Sequence, residues 1–350
     1  MGSVGADSDS QRAVTAILNS AIAAPAIGAA WELGILEEIH RNKSISPRNF
    51  AKQHDLNPVS TEAIVAALMA VDILAKYDGE VAGGKHFEEA YKKKSIFHFT
   101  SLGSGGLFAK MASLTRNANR VGGFHSRTRD AAAIAYACRE INHVYYDPAF
   151  WKAMKELDFD FKSVVDLGCG SGERLMEILG RYPGACGLGV DIAMPSLQVA
   201  ISETAERGLS DRLSFVEGNV LALEYRDEFS DVDLLTCFMM GHDFWPRENC
   251  IKTLQWLRQA FPKVRRFLLG DAHRLLLNSR DQGEPPTHAV DEHNVPFFSL
   301  AFEAAHALMD VYVPTIDEWE GVFEAGGWRC VRKHLIETAD WAVVFELEHA

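Results

Sequence analysis

The chain has 350 residues and a formal net charge of −13, with 35 Lys and Arg against 48 Asp and Glu. That length allows two domains of ordinary size with a substantial core, and the acidic balance disfavours a nucleic acid or an anionic membrane as partner. No apolar run reads as long enough to span a membrane, and the small, polar opening Met1 to Ser10 lacks a signal core and reads as a disordered tail. The six cysteines, Cys138, Cys169, Cys186, Cys237, Cys250 and Cys330, form no C-x-x-C pair, which suits reduced thiols in a cytoplasm.

In chain order, residues 11–95 read as helical with short breaks. Val14, Ile17, Leu18, Ala21 and Ile22 lie at helical spacing, and Ile27, Ala30, Trp31, Leu33, Gly34 and Ile35 continue the apolar stripe. Ser46-Pro47 predicts a helix start with proline in its first turn. A linker, Asp55 to Ser60, leads to a helix over Thr61 to Leu74, and Ala75 to Val81 predicts a hairpin. Three helices and a small wing resemble a winged helix. The segment Thr61 to Val71 has no Lys or Arg to reach phosphates or base edges, so a dimerisation domain is the expectation. A regulator that merely senses a ligand is the alternative from another class.

Residues 96–150 read as a helical connector lining a pocket. Lys92-Lys93-Lys94 before it is expected to be a solvated patch, and Ser95 to Phe99 is expected to line a cavity. Arg127 and Arg129 precede an alanine-rich helix, Ala131 to Ile141. Either arginine can clamp a carboxylate through two parallel hydrogen bonds, and a surface pair with Asp130 is the plainer reading.

Residues 151–350 carry the pattern of a doubly wound α/β domain. The apolar run ending in Asp166-Leu167 enters the turn Gly168-Cys169-Gly170-Ser171-Gly172, and Glu173 to Arg181 is an amphipathic helix. A second strand, Gly187 to Val190, ends in Asp191-Ile192, where a carboxylate can accept ribose hydroxyls. A third, Leu213 to Val216, ends near Gly218-Asn219-Val220, a tip suited to adenine. A fourth, Val232 to Phe238, includes Cys237 and runs on to Met239-Met240-Gly241-His242-Asp243. Glu173 in the first helical turn would repel a pyrophosphate but not a sulfonium cation. Asp166 to Gly172, then Asp191, then Gly218-Asn219 resembles a class I S-adenosylmethionine-dependent methyltransferase, which implies that cofactor. Asp166, Gly168, Gly170, Asp191, Ile192, Gly218, Asn219, Val220, Cys237 and Phe238 are then its expected contacts.

Two histidines would choose the chemistry. In O-methyltransferases that this architecture resembles, a run like His242-Asp243-Phe244-Trp245 supplies a general base. The segment Pro296 to Met309 is an apolar helix with one Glu303 and one His306, three residues apart and on one side. They can bond each other in the core, or His306 can meet His242 over a metal, with Glu303 as third ligand or supporting acceptor.

The runs Ser95 to His98, Gly103-Ser104-Gly105, Tyr136 to Glu140, Asp147 to Trp151, Met240 to Cys250 and Gly327 to Cys330 narrow the resemblance. Together they are similar to the bacterial 2-oxo-acid C-methyltransferases of the phenylpyruvate C3-methyltransferase type. That resemblance implies a metal ion, iron or zinc, on His242 and His306, with the substrate's keto and carboxylate oxygens on the metal and Arg129 at the carboxylate. It also implies a homodimer, methylation at C3 through an enolate, and a 3-methyl amino acid precursor for a secondary metabolite such as an antibiotic. Asp243 and a hydroxide on the metal are the candidate bases. The chain departs from the family in a longer stretch between Ala272 and Pro296, bearing Asp281, Glu284, Asp291 and Glu292, and in Phe99 where the family has tryptophan. Phenylpyruvate, 4-methyl-2-oxopentanoate and 5-guanidino-2-oxopentanoate all remain open as substrates. The alternative is a metal-independent small-molecule O-methyltransferase with His242 as base.

Overall fold

The computed structural model describes residues 4–120, 128–276 and 297–350. Arg127, Asp281, Glu284, Asp291, Glu292 and Pro296 lie outside the described residues. The chain divides into two compact units, residues 1–138 and 139–350, so residues 96–138 of the expected connector pack with the N-terminal unit.

The N-terminal unit opens with α1 (Val4–Glu32), which extends through Pro25. The expected disordered tail is therefore helical from Val4, in keeping with the small cost of lengthening a helix once it has formed. The expectation that no segment reaches membrane-spanning length also needs correcting. Two apolar stretches that read as separate join in one helix, and Ser8–Glu32 is long and apolar enough by length and composition. Within it Val14, Ile17, Leu18 and Ile22 are 60–70% exposed and form one stripe.

Next come α2 (Ile35–Asn42), β1 (Ser44–Ile45), α3 (Pro47–Gln53), α4 (Pro58–Met69), β2 (Leu74–Tyr77) and β3 (Glu80–Gly83). Asn57 caps α4 by accepting from Ser60 N, so that helix starts three residues before the expected Thr61, and it ends at Met69 because Leu74 begins a strand. β2 and β3 form the expected hairpin, with Tyr77 opposite Glu80, and β1 adds a third strand. Short helices α5 (Phe87–Lys92), α6 (Lys94–His98), α7 (Gly105–Ala109) and α8 (Met111–Leu114) follow, with a π-helical turn at Phe99–Gly103. Lys92 is exposed but Lys94 is buried, its ammonium 4.3 Å from the Tyr91 ring, so the lysine run is only partly a solvated patch. α9 (Ala131–Ile141) has the expected bounds.

The second unit is a three-layer α/β domain. After α10 (Asp147–Lys155) come β4 (Ser163–Leu167), α11 (Glu173–Arg181), β5 (Cys186–Asp191), α12 (Met194–Glu206), β6 (Leu213–Glu217), β7 (Leu234–Phe238), α13 (Arg247–Ala260) and β8 (Arg266–Ala272). They are followed by α14 (Ser299–Met309), α15 (Ile316–Phe323), β9 (Trp328–Leu335) and β10 (Ala342–His349). The sheet order is β6-β5-β4-β7-β8-β10-β9, parallel from β6 to β8, with β10 antiparallel to both neighbours. The chain steps outward from β4 in one direction, then returns to its other side at β7. A sheet wound in this way opens a crevice at the carboxyl ends of β4, β5 and β7. All six cysteines are thiols.

Close approach of β5, β6 and the glycine turn depends on Gly189. A Cβ there would lie 2.5 Å from Phe215 Cδ1 and 2.6 Å from Cys169 Sγ. Gly189→Ala should therefore destabilise the fold by about 1–3 kcal/mol, read as a lowered urea midpoint at unchanged slope.

Candidate active site

The glycine turn after β4 runs through three left-handed residues, Gly168 (φ 68), Gly170 (φ 53) and Gly172 (φ 75). Asp191, at the end of the neighbouring strand, fastens it: Oδ2 accepts from Gly170 N at 2.8 Å, and Oδ1 accepts from Ala193 N at 2.8 Å. Each oxygen keeps a second lone pair, so the half-buried carboxylate can still take ribose hydroxyls. Ile192 beside it and Leu221 after β6 stay exposed, which suits the faces of an adenine. Gly218 N donates to Asp191 O at 3.0 Å, and the Asn219 side chain accepts from Leu221 N, which shapes the third tip. Val220 is buried beneath it.

Three of the expected cofactor contacts have the following surroundings. Asp166 is buried and accepts from Thr236 Oγ1 at 2.6 Å, so its carboxylate braces β4 against β7. The Cys237 side chain is wholly buried in the core, because residues of a central parallel strand are covered on both faces; only its backbone is suited to a ligand. The Phe238 ring packs on Tyr146 and Phe150, with the Arg174 guanidinium 3.8 Å from its centre. Glu173 is held by Arg207 through two hydrogen bonds of 2.9 and 2.8 Å, so its repulsion of a pyrophosphate is weaker than the sequence alone implies.

The two histidines come together. Their ring centres are 4.9 Å apart with the planes at 89°. His242 sits in a buried 3-10 turn just after β7, reached through Met239 in a left-handed conformation (φ 55). Its Nδ1 lies 2.8 Å from Asp271 Oδ1, and its backbone N donates to Asp271 Oδ2. His306, on α14, has Nδ1 2.7 Å from the Phe302 carbonyl oxygen. A carboxylate and a carbonyl only accept, so Nδ1 is the donor in each ring and Nε2 of the neutral ring carries the lone pair. Imidazoles are oriented in this way at metal sites. Two imidazoles sharing one ion at about 2.1 Å would have ring centres roughly 4.5–5.5 Å apart, which this pair matches.

Asp271, absent from the expected residues, is therefore central. Its sequence signal was a lone acid at the carboxyl end of an apolar strand, Phe267-Leu268-Leu269-Gly270-Asp271, where a buried charge needs donors. Gly241 makes room for it, since a Cβ there would lie 2.8 Å from Asp271 Oδ2. Asp243, expected as a base, is exposed while its neighbour His242 is buried, because adjacent residues of a helical turn point different ways. Glu303 does not bond His306; its carboxylate accepts from Leu275 N and Leu276 N. Arg129 lies in the other unit, half-buried, with its guanidinium 5.3 Å from the Phe99 ring centre. The side chain of Asp130 caps α9 through Ala133 N at 3.0 Å. Among the described residues one group of three possible ligands lies within a shared radius, His143, Asp147 and Glu177, and its Asp147 is already paired with Arg174 at 3.1 Å.

A family described as "Methyltransferase domain" matches residues 164–262. The chain is 54% identical to "Methyltransferase ungE'" of Aspergillus campestris over 98% of each chain. It is 23% identical to an indolepyruvate C-methyltransferase of Streptomyces griseus, over 91% of this chain and 90% of that one. The solved structure of the mitomycin 7-O-methyltransferase MmcR superposes with a TM-score of 0.63 at 18% identity over 99% of each chain.

Burial pushes the Asp166 carboxyl up to about 6 from 3.8, against the smaller pull of Arg174 and Thr236. The folded chain thus holds this proton more tightly than the unfolded chain. The group weakens the fold above pH 6 and ceases to do so below about pH 4. Asp166→Asn should be more stable than the parent by about 1–3 kcal/mol at pH 8, with the gain vanishing toward pH 4, as measured by urea unfolding at both values.

Proposed function

Because the chain belongs to the S-adenosylmethionine-dependent methyltransferases and shares the fold of a solved O-methyltransferase, we propose that it methylates carbon, at C3 of a 2-oxo acid, with a metal ion held by His242 and His306. The observation that carries this reading is the meeting of two imidazoles at 4.9 Å, each with Nδ1 tied to an acceptor. A lone general base needs one such ring. A second, buried one turn after the buried Glu303 on a mostly apolar helix, fits a shared task.

When bound, iron or zinc would supply Lewis acidity that makes the C3 proton of a chelated 2-oxo acid easier to remove. S-adenosylmethionine supplies the electrophilic methyl, and Asp191, the glycine turn and the Gly218-Asn219 tip would hold it beside β4. Asp271 keeps His242 in the tautomer that offers Nε2, and the Phe302 carbonyl does the same for His306. The Phe302 ring, 5.5 Å from His242 and 4.0 Å from His306, backs both and excludes water from one side. The indolepyruvate enzyme among the relatives acts on this substrate class, which supports an aromatic 2-oxo acid.

A second reading rests on the same pair. An Asp271–His242 couple is also the arrangement of an oriented general base, which an O-methyltransferase would use on a hydroxyl without any metal. The mitomycin enzyme's likeness in fold fits either reading.

His242→Ala and His306→Ala should each abolish metal uptake and turnover while leaving S-adenosylhomocysteine affinity within about threefold, by calorimetry and elemental analysis. Full activity in chelator-treated protein would establish the hydroxyl-methylating reading instead. A panel of 2-oxo acids scored by mass for the gain of one methylene identifies the substrate.

We also propose a homodimer formed through the exposed stripe of α1. Ile17→Glu with Leu18→Glu should convert the protein to a monomer in light scattering, and an unchanged mass would exclude that face.

A further inference from the structure

The chain at and just after the end of β8 bonds His242 through Asp271 and the helix of His306 through Glu303. Asp271, near the end of β8, bonds His242 directly. Four and five residues further on, the backbone amides of Leu275 and Leu276 donate to the carboxylate of Glu303: Leu275 N to Oε1 at 2.7 Å, and Leu276 N to Oε1 and Oε2 at 3.1 Å each. Glu303 is 3% exposed and lies on α14 one turn before His306, on the same side of the helix.

A buried carboxylate is a costly way to fill space. Leucine or methionine would pack this helix against the strand end more cheaply. What the carboxylate adds is direction. Two amides in the bend just past the end of β8 donate to it in one geometry, which sets both the rotation and the height of α14. The requirement is strict, because a slip of one residue along a helix turns a side chain by about 100°. His306 would then leave the neighbourhood of His242.

We infer that Glu303 is a positioning residue for the two-histidine site: through Leu275 and Leu276 it locks α14 to the strand that carries Asp271, so that residues 271–276 hold both imidazoles in register. The inference rests on the reading of His242 and His306 as a metal pair. It assigns Glu303 no contact with the ion or the substrate.

The test is a titration of chelator-treated protein with Co²⁺, followed by visible absorption, for the parent, Glu303→Gln, Glu303→Ala and His242→Ala. Glutamine keeps the size of the side chain but sets an amide donor against backbone donors. S-adenosylhomocysteine affinity and far-ultraviolet circular dichroism serve as controls for folding. The expected result is one Co²⁺ per parent chain and about tenfold weaker binding with altered bands in Glu303→Gln. Glu303→Ala should be weaker still, with cofactor-product affinity unchanged in both. Should Glu303→Ala fail to fold, Glu303→Gln carries the test alone. Parent-like Co²⁺ affinity and spectrum in a folded Glu303→Gln overturns the inference and leaves the metal pair standing. A parent chain that takes up no more Co²⁺ than His242→Ala removes the metal pair, and the inference with it.

Discussion

A carboxylate sealed from water has to find its donors inside the protein, and Asp271 finds three. The ring Nδ1 of His242, the backbone N of His242 and its own neighbour Ala272 N surround it. This constraint propagates outward. It requires a residue without a side chain at Gly241, draws the 3-10 turn after β7 over the end of β8, and decides which nitrogen of His242 keeps its proton. A buried polar group that is fully partnered specifies one arrangement of its surroundings, because every alternative leaves a donor or acceptor unmade.

The cofactor end of the crevice follows the same rule with a different outcome. Asp191 also stands at the carboxyl end of a parallel strand and also gathers backbone amides, from Gly170 and Ala193. It remains half-buried rather than sealed, so its remaining lone pairs are open to a ligand's hydroxyls. Two acids at comparable strand tips thus differ in role through exposure alone: one organises the turn and can bind, the other only orients.

His306 is the residue on which the two proposed chemistries differ. The Asp271–His242 couple suits proton transfer and metal ligation equally well. A second imidazole with its own Nδ1 acceptor, facing the first across 4.9 Å, is used by the proposed metal reading and not by the proposed hydroxyl-methylating one. The carbonyl of Phe302 and the ring of the same residue supply both the orientation and the apolar backing for that arrangement.

Local pattern was enough for much of this molecule. The bounds of α9 and α11, the existence of a hairpin around Ala75 to Val81 and the tips at Gly168, Asp191 and Gly218 follow from periodicity and turn chemistry, which involve residues close in sequence. The expected meeting of His242 and His306 came from resemblance rather than from spacing, since 64 positions separate them. Other features were decided only by tertiary structure, because each depends on which strand lies next to which. The inward turn of Asp166 toward Thr236, the burial of Cys237 and the pairing of Asp271 with His242 all arise from the β4-β7-β8 adjacency. The capture of Glu303 by amides 28 and 27 residues away is of the same kind. The sequence determined by itself that a glycine-spaced nucleotide turn exists and which residue types crowd the crevice. Which acid meets His242, and which amides meet Glu303, was left to the packing, because a buried charge must find its donors among the groups the fold brings beside it.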